Sequence, residues 1–450
     1  MILLSIWLAV GIGLMWMVGQ KEPGSAGLPL AYFLGLSMIH VPGAMVALDG
    51  EELNSMTWDG FEQTVIGMIA FLVGVIISRY AFVPAPRKGT GTSLAQGISP
   101  QSLGELNRLA LLYLCIGGVV YFVMMPFASM IPSATALIAP LGSLLLIGAC
   151  LRFWIASESA NWPKFWSTMV LLPLLPLTTL TQGGFLGFGT TWAITAASFL
   201  FAQSKRKVAY VFAAPVVFFI GLSVFVNYMA ARDELRQLVW YEQASLGDRL
   251  QRIADVFVNF EWLDLSNSRH REAIDRRLNQ NFLVGAAAAR LESGQVEYAS
   301  GATLGNMIVA LIPRAIWPDK PAVGGGGSVV HDFTGIEFAE GTSVGAGQVL
   351  EFYVNFGTWG VIGGFLLFGC LIGRMDLLTI RYLRQGQQTR FLFWFIIGLA
   401  LLNPGGNLQE IVVSVAGCAV TAHGLGYLLK RYNWGSTRGV LRTIAGRSGG

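Results

Sequence analysis

Residues 313–321 read PRAIWPDKP and hold three prolines together with Arg314, Trp317, Asp319 and Lys320. Proline fixes its own φ and restricts the residue before it. A backbone braced in this way lowers the entropic cost of presenting the Arg314 guanidinium and the Lys320 ammonium to a ligand. A guanidinium grips phosphate through two parallel hydrogen bonds. The chemistry this stretch favours is therefore recognition of a phosphate-bearing ligand. Trp317 adds an apolar ring that stacks on a sugar or sits at a membrane interface. Read alone, the same residues also describe a surface anchor with a Pro-Asp turn.

Gly324 to Gly327 and Ser328 follow. They permit close backbone approach to a ligand, but no Gly-Lys-Ser/Thr follows, so this is not a Walker loop. His331 and Asp332 pair an imidazole with a carboxylate, as general-base chemistry requires. One histidine with scattered acids (Glu337, Glu340) is a poor metal-donor set, and no metal is expected. Glu351 stands at the mouth of the next apolar stretch, either as an interfacial anchor or as a catalytic or ligand-binding carboxylate. Upstream lie Arg232, Arg236, Arg249, Arg252, Arg269, Arg271, Arg276, Arg277 and Arg290. Salt bridging with Asp233, Glu234, Asp248, Asp255, Glu272 and Asp275 accounts for most of this set. Arg271 and Asp275, at i and i+4, form an ordinary helix pair.

What must position these residues is a membrane bundle. Of 450 residues 54% are hydrophobic and 12% charged, with a mean hydropathy of +0.57. A soluble domain carries about 25% charged residues. A bilayer core takes roughly 20 apolar residues per helix. Expected spans are 1–18, 26–48, 61–82, 108–131, 134–152, 165–182, 185–203, 208–230, 352–373, 391–404 and 409–429. TQGGFLGFG, between the sixth and seventh, reads as a tight turn or a re-entrant break. The middles of the spans carry no Asp, Glu, Lys or Arg, which speaks against an ion-coupled carrier. His40 and His423 read as packing residues. Cys115, Cys150, Cys370 and Cys418 read as buried thiols.

Charge placement orients the spans. No Lys or Arg precedes Lys21, so the first segment reads as a retained span entering from outside. The short inner segments then hold 19 of the 30 Lys and Arg, and the short outer loops hold none. The other 11 lie in residues 231–351, and long segments translocate regardless of charge. The expectation is an all-α polytopic membrane protein of about eleven transmembrane helices with one large periplasmic loop domain. Its parts are an N-terminal bundle over 1–230, the loop domain over 231–351, a C-terminal bundle over 352–429 and a basic cytoplasmic tail over 430–450. Within the loop, 247–263 and 267–292 read as amphipathic helices. Ile274, Leu278, Phe282, Ala286 and Ala289 form one stripe of the second. GNMIVALIP reads as a helix lying against the membrane. Nucleic acid is not an expected partner on this face.

Residues 300–374 resemble the bacterial oligosaccharide repeat-unit polymerases of the Wzy type. The resemblance rests on Pro313, Arg314, Trp317, Pro318, Lys320 and Pro321, on the glycine-rich loop, and on the Glu-x-Tyr-x-Asn-Phe-Gly run of Glu351, Tyr353, Asn355, Phe356 and Gly357. Outside these residues only the architecture is similar. Some such polymerases carry an Arg in a second periplasmic loop; the corresponding turn here, TQGGFLGFG, has no charge.

The resemblance implies a GT-C-like fold in the bacterial inner membrane, with the N-terminus periplasmic and the C-terminus cytoplasmic. It implies an enzyme joining polyprenyl-diphosphate-linked oligosaccharides, without metal or cofactor. A hydroxyl of one lipid-linked unit attacks the anomeric carbon of another, and diphosphate leaves. Arg314 and Lys320, helped by Arg290, would stabilise the leaving charge. Glu351 is the first choice of proton acceptor, with His331 and Asp332 behind it. Trp317, Asp319, Tyr353 and Asn355 would bind substrate. A chain-length regulator and a flippase are the implied partners. A lipid-to-glycan ligase of the same architecture, or a flippase of lipid-linked sugars, is the alternative reading.

Overall fold

The computed structural model describes residues 1–49, 53–81, 100–128, 134–159, 161–170, 174–176, 187–204, 207–238, 245–312, 316–317, 319–320, 325–337 and 345–431. Helices dominate and no strand occurs among these residues. In chain order they are α1 Ile2–Val18, α2 Leu28–Val46, α3 Leu53–Ala81, α4 Pro100–Val119, α5 Ala134–Gly142, α6 Leu144–Glu158, α7 Trp162–Met169, α8 Gly187–Gln203 and α9 Lys207–Arg236. Then come α10 Leu246–Val258, α11 Ser268–Leu278, α12 Gln280–Glu292, α13 Ala302–Leu311, α14 Gly326–Thr334, α15 Gly347–Arg384, α16 Gln388–Ala400 and α17 Leu408–Arg431. α4 continues through a π turn, Val120–Met124.

Seven helices among the described residues are long and apolar enough to cross a membrane, rather than the eleven expected. They fall at Leu28–Val46, Ser55–Ala81, Leu103–Met124, Leu137–Glu158, Lys207–Arg236, Gly347–Arg384 and Leu408–Leu429. The chain is thus a polytopic helical membrane protein. The difference is one of length. α1 and α8 have 17 residues and α16 has 13. At about 1.5 Å per residue, α16 covers only about 20 Å. The expected span 165–182 and the turn expected at TQGGFLGFG, residues 181–189, lie in part outside the described residues, and 187–189 begin α8.

One end of the bundle is knit together by polar contacts around residues 19–28. Arg384 Nη1 donates to Lys21 O at 3.1 Å, Arg79 Nη2 to Gly24 O at 3.2 Å and Gln203 Nε2 to Ser25 O at 2.6 Å. The buried Asp376 carboxylate accepts from Ala26 N at 2.9 Å and Leu28 N at 3.0 Å, the free donors at the start of α2. The segments around residues 21, 79, 203 and 384 therefore meet at one face.

Glycine sets the closest approaches. Gly67 and Gly74 of α3 face Val361, Phe365, Leu366 and Cys370 of α15, while Gly369 and Gly373 face Phe71 and Ser78. A Cβ on Gly74 or Gly369 would collide with the carbonyl of the opposite helix. Small residues at these steps let two apolar helices meet backbone to backbone.

Two helices depart from their expected course. Residues 267–292 do not form one helix: α11 ends and α12 starts at Asn279, which has φ −123° and ψ 66°. The Asn279 side chain holds this break. Its Oδ1 accepts from Phe282 N at 3.4 Å, and its Nδ2 donates to Thr57 Oγ1 at 3.0 Å and Asp275 Oδ1 at 2.6 Å. The expected stripe is split by the break: Ile274, Leu278 and Ala286 are buried, while Ala289 is exposed. α12 is buried through Val284–Ala288, with Gly285 against the Met56 carbonyl of α3.

α15 is broken at Phe356 (φ −144°, ψ 22°) and Gly357 (φ 61°, ψ −148°). The Gly357 conformation is open to glycine almost alone. The Phe352 ring lies 5.7 Å from Phe365 and 5.8 Å from Phe368. A straight helix would separate those pairs by about 20 and 24 Å. The segment before the break therefore folds back along the rest of α15 and ends about 15 Å down it. There Tyr32 Oη donates to Gln348 Oε1 at 2.9 Å, and Gln348 Nε2 donates to Asn403 O and Gly406 O, each at 2.7 Å.

Candidate functional site

A polar hollow lies where α9 meets α11. α9 is apolar until residue 230 and then turns to AARDELR, which places Arg232 and Arg236 one turn apart on one face. Tyr228, Ala231 and Leu235 pack on Ile253 of α10, and Tyr228, one turn before Arg232, also hydrogen-bonds Arg232 and Arg236. The chain after α10 is pinned to α9 by side-chain amides and hydroxyls. Asn227 Nδ2 donates to Glu261 O at 2.7 Å, Glu261 N to Asn227 Oδ1 at 3.0 Å and Leu263 N to Ser223 Oγ at 3.0 Å. Asn267 then caps α11, accepting from Arg269 N at 3.0 Å.

The result is a hollow of about 470 Å³ whose lining includes Arg232, Arg269, Arg276 and Arg277, with Asp233, Glu261 and Glu272. His270 accepts from Asp264 N through Nδ1 at 3.2 Å, so its Nε2 carries hydrogen and faces Glu261 at 3.3 Å. Arg276 pairs with Glu272 at 2.6 Å and Arg232 with Asp233 at 3.4 Å. Arg277 has no ion-pair partner among the described residues. Desolvation by partial burial, then the charges of Arg232 and Arg236, hold its guanidinium below the ordinary arginine value. Cations that repel one another at a partly buried site are relieved by an anion, and guanidinium forks suit phosphate oxygens.

The residues singled out in the sequence are distributed around a second centre. Glu351 is buried at 2% exposure. Its Oε2 accepts from Leu408 N at 2.6 Å, at the start of α17, and the Thr303 hydroxyl also bonds the carboxylate. Asn355 Oδ1 accepts from Gly301 N at 2.9 Å, and Nδ2 donates to Thr303 Oγ1 at 2.6 Å and Glu351 O at 2.7 Å. The break at Gly357 frees the Val354 carbonyl, which takes Ala299 N–H at 2.9 Å. Tyr353 is buried and hydrogen-bonds Tyr298. Glu351, Asn355 and Thr303 are thus joined in one network that fixes the starts of α13 and α17.

Arg314, Pro313, Pro318 and Pro321 lie outside the described residues. Lys320 Nζ donates to Ala310 O at 3.2 Å and Ile312 O at 3.1 Å, closing the end of α13. Trp317 and Asp319 are exposed. Arg290, in the last turn of α12, lies against Gly335. His331 and Asp332 are exposed on α14. Among the described residues no group of three or more His, Cys, Asp or Glu is placed to hold a metal. The four cysteines are free thiols.

Residues 92–379 match a family described as a domain of unknown function, DUF8712. The match spans more than half of the chain. The protein belongs to the DUF8712 family. No curated protein and no solved structure matches it. The DUF8712 match includes the arginine hollow and Glu351, Asn355 and Thr303, while Leu408 lies beyond it.

Sequence reasoning missed a third polar group, His40 with Thr64 and Asn281. His40 and Thr64 sit in expected spans and Asn281 in an amphipathic stretch more than 200 positions away. The only signal was an imidazole inside a span.

Proposed function

We propose that this chain is a membrane glycosyltransferase that polymerises polyprenyl-diphosphate-linked oligosaccharide repeat units on the periplasmic face of the bacterial inner membrane. The observation that carries the reading is the arginine hollow at the Arg236 end of α9. An apolar helix of 30 residues runs directly into a set of guanidiniums that carboxylates do not fully neutralise. A lipid-linked diphosphate has that same order, an apolar tail and then two phosphates. The Pro-Arg, Trp-Pro, Lys-Pro and Glu-x-Tyr-x-Asn-Phe-Gly resemblance supports the same substrate class.

In this reading the N-terminus is periplasmic, the C-terminus is cytoplasmic, and the short apolar helices bring the membrane layout to about eleven in a GT-C-like arrangement. Arg232 and Arg277 hold the diphosphate, and Arg314 and Lys320 keep the role that the resemblance implies, stabilising the leaving charge. As a sugar hydroxyl of the second unit attacks the anomeric carbon, charge builds on the departing diphosphate. Preorganised cations stabilise that charge, contributing about a hundredfold or more in rate. No metal or cofactor enters the reading, and a chain-length regulator and a flippase are its partners in the membrane.

Deleting the gene and sizing the surface polysaccharide tests this. Single repeat units left on lipid carrier outside the inner membrane are the expected result. Units trapped on the cytoplasmic side would identify a flippase instead. Complete units that fail only to reach their final acceptor would identify a ligase. Unchanged chain lengths would remove the reading.

A further inference from the structure

His40 lies in α2 at 1% exposure and meets two other elements. Asn281 Nδ2 donates to the His40 carbonyl at 2.7 Å, which turns Asn281 Oδ1 toward the ring. That oxygen lies 2.6 Å from His40 Nδ1. An amide oxygen only accepts, so Nδ1 carries hydrogen and donates to it. Thr64 Oγ1 lies 3.2 Å from the same nitrogen and donates to Gly60 O at 2.9 Å. The tautomer is thereby fixed, and Nε2 is left as a bare lone pair.

His40 Nε2 is buried and has no hydrogen-bond partner among the described residues. Two more buried acceptor atoms, on residues that neighbour Thr64 and Asn281 in the chain, are also unmet there. They are Gln63 Oε1, next to Thr64, and Gln280 Oε1, next to Asn281. Buried polar atoms are nearly always satisfied. Acceptors that all lack donors call for a donor-rich ligand, and a sugar presents hydroxyls. Gln280 also faces Gly347 and Gly405, so this junction touches the tip of the folded-back part of α15 and the loop before α17.

The junction is also tied to the arginine hollow. Arg276 and Arg277 stand near the end of α11, and Asn281 follows five and four positions later, across the break at Asn279. In a transfer reaction the reacting atoms sit about 3–3.5 Å apart, and the base about 2.6–3.2 Å from the proton it takes. Arg277 on α11 and Asn281 on α12 stand on either side of one break.

We propose that His40 is the proton acceptor of the reaction, an inference that rests on the glycan-transfer reading above. The attacking hydroxyl oxygen forms its bond to the anomeric carbon. The bond from that carbon to the diphosphate oxygen breaks, and the electron pair leaves with the diphosphate. The hydroxyl proton passes to His40 Nε2. Asn281 is the positioning residue that keeps hydrogen on Nδ1.

The test uses full-length protein in vesicles of phosphatidylethanolamine and phosphatidylglycerol. Its substrate is lipid-linked repeat units extracted from a strain lacking this gene. His40→Asn keeps a donor near the Nδ1 position and deletes Nε2. The expected result is a fall of about 10²–10⁴-fold in turnover, with the KM for lipid-linked units little changed. Should His40→Asn lose its cooperative unfolding, His40→Gln is measured in its place. That variant sets an amide near the Nε2 position and accepts a hydrogen bond without taking a proton. Asn281→Ala is expected to lower turnover less and to shift its pH profile; Asn281→Asp, which retains an oxygen for Nδ1–H, recovers part of the rate. Wild-type turnover with a folded His40 variant within about threefold of it would overturn the assignment of His40 alone. A wild-type protein that leaves the units unjoined would remove the glycan-transfer reading and this assignment with it.

Discussion

Glu351 Oε2 accepts the Leu408 backbone N–H at 2.6 Å, so a carboxylate from α15 caps a helix that begins 57 residues later. The start of α17 is a cluster of unsatisfied donors carrying partial positive charge. A buried carboxylate placed there is already committed to a structural task. Replacing Glu351 with Ala is expected to lower stability by about 1.5–3 kcal/mol, the value of a hydrogen bond to a charged group. Glu351→Gln retains an acceptor and should preserve most of that stability, with turnover within about threefold of wild type. Thermal unfolding in detergent and polymer length check the two halves. A folded Glu351→Gln protein with a hundredfold deficit would assign the proton transfer to Glu351.

Arg276 and Arg277 are neighbours with opposite expected behaviour. Arg276 is exposed and paired with Glu272 at i and i+4, a pair worth about 0.3–0.5 kcal/mol. Arg277 lacks an ion-pair partner among the described residues and is crowded by Arg232 and Arg236. Arg277→Ala should weaken use of the lipid-linked donor by about tenfold to a hundredfold, while Arg276→Ala should change it little. Initial rates at limiting donor distinguish them. Equal effects would place the diphosphate elsewhere.

Gly285 and Met56 set how deeply α12 sits on α3. A Cβ on Gly285 would overlap the Met56 carbonyl, and one on Gly60 would overlap the Asn281 carbonyl. Backbone cannot swing aside as a flexible side chain can. Gly285→Ala is expected to cost about 1–3 kcal/mol or more and to expose residues 280–292 to limited proteolysis. A wild-type unfolding curve for this variant would mean that α12 is not seated as described.

Asp376 anchors the opposite end of the bundle. It is 1% exposed, accepts two backbone N–H groups at the start of α2 and is attracted to Arg79, which is itself 2% exposed. Asp376→Ala leaves a buried guanidinium without its counter-charge. The expected loss is about 3–5 kcal/mol, seen as poor accumulation in the membrane and a lowered unfolding temperature. Asp376→Asn, which retains an acceptor oxygen, should lose less.

Much of the fold was legible in the sequence because a bilayer imposes simple rules on a chain. Apolar runs of sufficient length become helices, and Lys and Arg collect on one side. Those rules placed most of the spans. They also singled out Glu351 as unlike its surroundings, and the resemblance added Asn355 and Gly357. Residue type alone could not say that Glu351 and Asn355 hold helix starts, because the groups they satisfy lie tens to hundreds of positions away. The short helices α1, α8 and α16 were read as ordinary spans because hydropathy does not report where a helix ends.

By itself the sequence determined a helical membrane protein with one long arginine-rich segment. Those properties follow from composition, charge placement and local residue order. The tertiary structure alone decided the breaks at Asn279 and Gly357, the depth to which α12 and the start of α15 fold into the bundle, and the union of His40, Thr64 and Asn281. Each of these depends on which distant backbone groups are left unsatisfied and which side chain reaches them. That pairing is a property of packing, and no window along the chain contains it.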